Sequence, residues 1–337
     1  MKKTMIALLA TLLLVACGQS YEETKRITRQ QRREAARKDS AALKIAVLPT
    51  LDCLPLFVAQ QEQLLDTLNG GVRLKMYQAQ MDCDTALERH RVEGMVTDLV
   101  RAMRLNDKGT KIRYVAVTGA YWQLIANRLS RIRQIKQLND KMIGMTRFSA
   151  TDLLSKRVAD SVKLNEEHLF KIQLNSLNVR MQMLQNNEID AVWLTEPQAT
   201  MARLYKHPVI FDSRSTGLQL GVIAFREQEM RRQTRGHQLQ LLVEAYNKAC
   251  DLINEKGVKH YKKLIMDRCQ VRANVVDSLP SDLRFEHAQG PRQEDMEEVR
   301  GKKDEVRGKR RWQHTIRHWN GWRQPLKTGT ADGPCKR

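Results

Sequence analysis

The sequence predicts an α/β fold in two lobes, each a mostly parallel sheet flanked by helices. Three observations carry this. Strand-length apolar runs alternate with helix-length amphipathic runs, as crossover-connected parallel strands require. The cycle restarts once, near Ile135, which places two such units in series with a cleft between them. The strands also end repeatedly in polar turns that open helices, most clearly at Asp190 to Thr200, where Ala191 to Leu194 runs into Thr195, Glu196 and Pro197. Proline is favoured at the first position of a helix. Glu196 therefore stands at a strand's carboxyl end, where open α/β sheets bind ligands; equally, it fits as a helix N-terminal acid favoured by the helix dipole.

Taken in order, Lys44 to Leu48 reads as a strand, and Pro49 to Pro55, which includes Asp52 and Cys53, as a turn. Leu56 to Leu68 has helical periodicity and stops at Gly70-Gly71. A second strand spans Val72 to Tyr77, and Asp82, Asp84 and Thr85 fall where a helix cap belongs. Val92 to Val96 leads through Thr97-Asp98 into a helix over Leu99 to Leu105. Tyr114 to Val117 and Gln123 to Asn127 are strands separated by a turn that carries Tyr121 and Trp122.

The second unit opens with a short helix, Ile135 to Asp140, and a strand, Met142 to Met145. A polar turn from Thr146 to Thr151 precedes the helix Asp152 to Val162. Phe170 to Leu174 is a strand, Val179 to Gln185 a helix, and Val209 to Phe211 and Leu220 to Phe225 are further strands. Val243 to Asn254, His260 to Met266 and Gln293 to Val299 are amphipathic or acidic helices.

Lys44 to Pro49, Glu93 to Asp98, Leu138 to Gly144, Glu188 to Val192 and Glu196-Pro197 together resemble a type II periplasmic binding protein, the solute receptor of an ABC importer. The likeness is to the branch with sulfonate, nitrate and thiamine-pyrimidine-precursor receptors. It implies two hinge strands, with crossings near Ile125 to Arg133 and Gly221 to Arg226, and closure around a solute. Lobe one would comprise residues 44–130 plus 222–300, and lobe two 131–221. It also implies a monomer that partners an ABC permease and needs no cofactor.

If the strand ends face one cleft, its walls are Asp52, Asp98, Tyr121, Trp122, Thr146, Arg147, Ser149, Thr151 and Glu196, with Asp82 or Asp84 better placed as caps. Carboxylates with two aromatics suit an amine-bearing solute. Arg147 before a helix start suits an anion, unless a neighbouring carboxylate holds it. A zwitterion or an aminopyrimidine would use both.

Catalysis finds no nucleophile elbow, phosphate loop or zinc motif, so a non-enzyme is expected. The same fold hosts enzymes of the thiamine-pyrimidine and menaquinone branches; the Cys-rich motif of the former is missing here. A surface lipoprotein with an interaction role is the remaining alternative. Lys and Arg outnumber acids to give a formal charge of +20, yet they are scattered rather than gathered with aromatics on one face, so no nucleic acid is expected.

Met1 to Ala16 has the charged start and apolar run of a signal peptide. Leu14-Val15-Ala16-Cys17-Gly18 resembles the bacterial lipobox, which implies acylation of Cys17 and a lipid-anchored, extracytoplasmic chain with a polar tether to residue 43. In that oxidising setting Cys53 with Cys83 and Cys250 with Cys269 are candidate disulfides, one pairing among three possible. A metal site is not expected, since these cysteines lack paired spacing and a histidine cluster. Residues 301–337, basic and without period, are expected to be a disordered or non-native tail.

Overall fold

A computed structural model of the chain describes residues 21–65, 71–231 and 233–301. The expectations for the signal peptide, Cys17 and the tail beyond Gly301 fall outside the described residues. Helix α1 (Tyr21–Ala41) spans most of the tether. Its last turn is fastened to the body by Asp39, which pairs with Lys44 at 2.9 Å and with Arg73 and Lys75 at 3.1 Å each. No described helix is long and apolar enough to cross a membrane.

The first sheet begins with β1 (Leu43–Val47), followed by a 3-10 turn at Leu51–Cys53, α2 (Leu54–Gln61), β2 (Val72–Met76) and α3 (Gln80–Glu88). Next come β3 (Gly94–Asp98), α4 (Leu99–Asp107) and β4 (Ile112–Val117). The chain then enters the second sheet with β5 (Gln123–Ala126), β6 (Lys141–Met145), α5 (Ala150–Ser161) and β7 (Leu169–Gln173). It continues with α6 (Leu177–Gln185), β8 (Ala191–Leu194), α7 (Gln198–Leu204) and β9 (Val209–Asp212). The return strand is β10 (Gly221–Arg226), after which α8 (Glu227–Met230), α9 (Gln233–Lys256), α10 (Lys262–Cys269), α11 (Ala273–Asp277) and α12 (Gln293–Arg300) complete the fold.

The two sheets are built to one plan, β2-β1-β3-β10-β4 and β7-β6-β8-β5-β9. In each, the fourth strand runs antiparallel to both neighbours and the rest run parallel to one another. That odd strand is the one that has come from the other lobe. The crossings accordingly lie at residues 118–122 and 213–220, ahead of the expected positions near Ile125 to Arg133 and Gly221 to Arg226. Both predicted stretches instead lie largely within or beyond strands already paired in their destination sheets. Where the crossings touch, Gly221 is required: a Cβ there would lie 2.2 Å from Thr118 Oγ1 and 2.6 Å from Ala120 Cβ.

Alternation along the strands feeds cores on both faces of each sheet. Ile45, Val96, Ile223 and Phe225 point into a core closed by α2, α9 and α10, while Ala46, Met95, Val222 and Ala224 meet α3 and α4. In lobe two, Ala191 and Trp193 face α5, and Val192 and Leu194 face α6 and α7. This burial on both faces explains the near-continuous apolar strands.

It also overturns the proposed disulfides. Cys53 and Cys83 belong to cores on opposite faces of the first sheet, and all four of Cys53, Cys83, Cys250 and Cys269 are buried free thiols. Cys250 and Cys269 share a core, but the Cys250 thiol donates to the Glu286 carbonyl at 3.4 Å.

Candidate functional site

The carboxyl ends of the two sheets face each other across a cavity of about 70 Å³. Lobe one contributes Thr50, Asp52, Gln80 and Asp98; lobe two contributes Thr146, Ser149, Thr151, Asn175, Arg180 and Thr195, with Trp122 from the crossing between them. Asp52, Asp98, Trp122, Thr146, Ser149 and Thr151 are thus brought together as the strand order predicts.

The lobe-two wall is a hydroxyl lattice. Ser149 Oγ donates to the Thr146 carbonyl at 2.7 Å and contacts Thr151 Oγ1 at 2.8 Å, while Thr151 Oγ1 accepts from the Thr146 amide at 3.0 Å. These residues are buried by the turn into α5, whose N-cap is Ser149.

Arg180 is the site residue that sequence reasoning missed. It is 2 % exposed and donates from Nε to the Leu174 carbonyl at 2.7 Å, from Nη1 to the Trp193 carbonyl at 2.8 Å, and from Nη2 to Thr146 Oγ1. All three acceptors are neutral, and among the described residues no carboxylate forms an ion pair with it. Burial alone holds its pKa down at about 9. A buried cation normally carries a partner; this one lines the cavity with two of its five N–H groups uncommitted to those acceptors. The available signal was register: Arg180 falls on the same helical face as Leu177, Met181 and Leu184.

The acids stand on lobe one. Burial raises the Asp52 carboxyl above its ordinary range, against hydrogen bonds from Thr50, its own amide and Thr118 that pull it down. Asp98 is the last residue of β3 and caps α4, accepting from the Arg101 amide at 3.0 Å. Burial pushes its carboxyl up to about 7.

The other predicted wall residues are used elsewhere. Glu196 is 2 % exposed and accepts from Tyr121 Oη at 2.8 Å, Thr200 Oγ1 at 2.6 Å, the Thr200 amide at 3.0 Å and Arg203 Nη2 at 2.8 Å. Its backbone carbonyl takes the Leu51 amide of the opposite lobe at 2.9 Å. Glu196 and Tyr121 therefore form an internal strut, and Arg214 stacks 4.3 Å from the centre of the Tyr121 ring. Arg147 is exposed and lines a separate surface cavity with Arg104, Lys108 and Phe148. Asp82 and Asp84 do not cap α3: the helix starts earlier, at Gln80 with Ala79 as N-cap, and Asp84 pairs with Arg101.

No protein-family model matches the chain, and no curated protein matches it. Solved structures do. The alkanesulfonate-binding protein SsuA from Xanthomonas axonopodis pv. citri bound to MOPS aligns with a TM-score of 0.62 at 17% identity, over 72% of this chain and 85% of that one. The ligand-binding component of an ABC-type import system from Staphylococcus aureus aligns at 0.64 and 16% identity, over 84% and 94%. The nitrate-binding protein NrtA from Synechocystis PCC 6803 aligns at 0.61 and 10% identity, over 74% of each chain. Sheet order, crossings and these alignments agree that the chain has the fold of periplasmic solute-binding proteins.

Proposed function

We propose that this chain is an extracytoplasmic solute-binding protein that captures a small zwitterion between its lobes and delivers it to an ABC permease, with Cys17 as its lipid anchor. The observation that carries the reading is Arg180, a buried cation on the cavity wall whose described partners are all neutral. A solute carboxylate or sulfonate would supply the missing charge. Asp52, on the opposing lobe, would take the solute's amine, and Trp122 would cover it.

A cavity of about 70 Å³ favours a small solute. The fold neighbours are named for sulfonate and nitrate binding, and the cationic wall is consistent with an anionic group.

The test is a thermal-shift titration of the full chain with glycine, β-alanine and aminomethanesulfonate, set against acetate, methanesulfonate and methylamine. A ligand at 100 times its Kd adds about 2.7 kcal/mol, or about 5 to 10 °C for a body of this size. The zwitterions should shift the midpoint more than either singly charged set. Equal silence from all six would end this reading.

A further inference from the structure

Helix α1 is an arm whose chemistry the solute reading leaves unused. Its C-terminal end is docked on lobe one. Besides the Asp39 pairs, the Ala41 carbonyl accepts from Arg235 Nη1 at 2.8 Å and Gln238 Nε2 at 3.0 Å, and the Ser40 carbonyl from Arg235 Nη2 at 3.3 Å. Upstream the helix stands clear of the body: from Lys25 to Glu34 every residue is exposed except Ile27, which is half-buried.

Five residues of that stretch are cations, Lys25, Arg26, Arg29, Arg32 and Arg33. At 3.6 residues per turn they fall within an arc of about 120°, along about 12 Å of the axis. Ile27 and Glu34, the only carboxylate of the stretch, fall on the opposite side. Lys and Arg are scattered over the chain as a whole, but here the helical register gathers them into a stripe. The stripe costs the helix some stability, because Lys25 and Arg29, and Arg29 and Arg33, are like charges at i,i+4. A surface of negative charge laid against it removes that repulsion.

We propose that α1 lies with this stripe on an anionic phospholipid surface. Charge complementarity selects the partner. No aromatic residue stands between Lys25 and Glu34 to stack on bases, as a single-stranded nucleic acid would want. No apolar residue stands within the arc either, so the contact is coulombic and the helix does not insert. Position supplies the second argument. Cys17, proposed above as the lipid anchor, precedes Lys25 by eight positions, at most about 28 Å of extended chain. The stripe is therefore within reach of the surface that the anchor enters. Because the other end of α1 is docked on lobe one, seating the stripe also sets which side of the body faces the membrane. The inference uses the anchor reading for its location and is independent of the solute reading.

The test is co-sedimentation of the full chain, made by cell-free translation so that no acyl group contributes, with two kinds of vesicle. One is phosphatidylcholine alone and the other contains phosphatidylglycerol as well; binding through the apolar run Met5 to Ala16 is common to both. The parent should bind the anionic vesicles more tightly, and roughly 1 M salt should abolish the difference. Combining Arg29→Gln, Arg32→Gln and Arg33→Gln keeps good helix formers and removes three charges from the stripe. At about fivefold per surface cation, this variant should bind anionic vesicles about 100-fold more weakly. Combining Lys136→Gln, Lys256→Gln and Lys259→Gln, three exposed positions of the body, removes the same charge and should leave the affinity unchanged. Equal binding of the parent to both vesicles, or equal losses in the two variants, overturns the inference. So does a stripe variant that binds as the parent does.

Discussion

Replacing Arg180 with methionine separates a binding cation from a structural one. A guanidinium that burial holds down at about 9, well below its ordinary value, carries about 5 kcal/mol of differential against its charged form. Methionine removes that penalty and fills similar space. It also strips donors from the Leu174 and Trp193 carbonyls and from Thr146 Oγ1, at about 1 to 3 kcal/mol each. The two effects nearly cancel, so Arg180→Met should unfold within about 4 °C of the parent. Solute binding behaves differently, because truncating one partner of a buried charge pair costs about 2 to 5 kcal/mol. A glycine, β-alanine or aminomethanesulfonate concentration that stabilises the parent by about 2.7 kcal/mol should then stabilise the variant by less than about 1 kcal/mol. Thermal shift with and without solute reads both quantities. A variant that keeps the full solute-induced shift refutes the assignment of Arg180 as the anion contact. One that fails to fold refutes the cancellation.

Other consequences concern the frame. Glu196→Ala leaves Tyr121, Thr200 and Arg203 without their shared acceptor, and should destabilise the chain by about 3 kcal/mol in urea titration; an unchanged midpoint would return Glu196 to the list of solute ligands. Gly221→Ala forces a methyl to within 2.2 Å of Thr118 Oγ1 and should cost about 1 to 3 kcal/mol or more, with the loss visible in the same titration. Peptide mapping after alkylation of the native chain should leave Cys53, Cys83, Cys250 and Cys269 unmodified and unbridged. Burial raises all four thiols and keeps their reactive thiolates scarce. Modification of all four only after denaturation is the expected pattern, and a recovered Cys250–Cys269 bridge would contradict it.

The architecture was legible because its signals are local. Strand β8 was predicted to the residue, Ala191 to Leu194, since four consecutive apolar residues between polar turns fit a strand buried on both faces. The same holds for Asp98, read as a strand end opening a helix and found capping α4. Cap chemistry misled at Asp82 and Asp84: the turn favoured capping there, but the backbone began α3 at Gln80, in step with an isolated bridge between Ala79 and Ser176 across the lobes.

Sequence order determined which turns reach the cleft, because every parallel strand delivers its carboxyl end to the same side of its sheet. It did not determine which side chain in each turn faces the cavity. Glu196 and Arg147 sit in correctly placed turns, yet one is consumed by Tyr121, Thr200 and Arg203 and the other points outward. Arg180 reads as an ordinary charged residue of a short helix until α6 packs on the second sheet and buries it beside Thr146. Periodicity sets the face on which a residue lies, but a buried charge is given its partners, or left without them, only by the residues that other elements bring into contact.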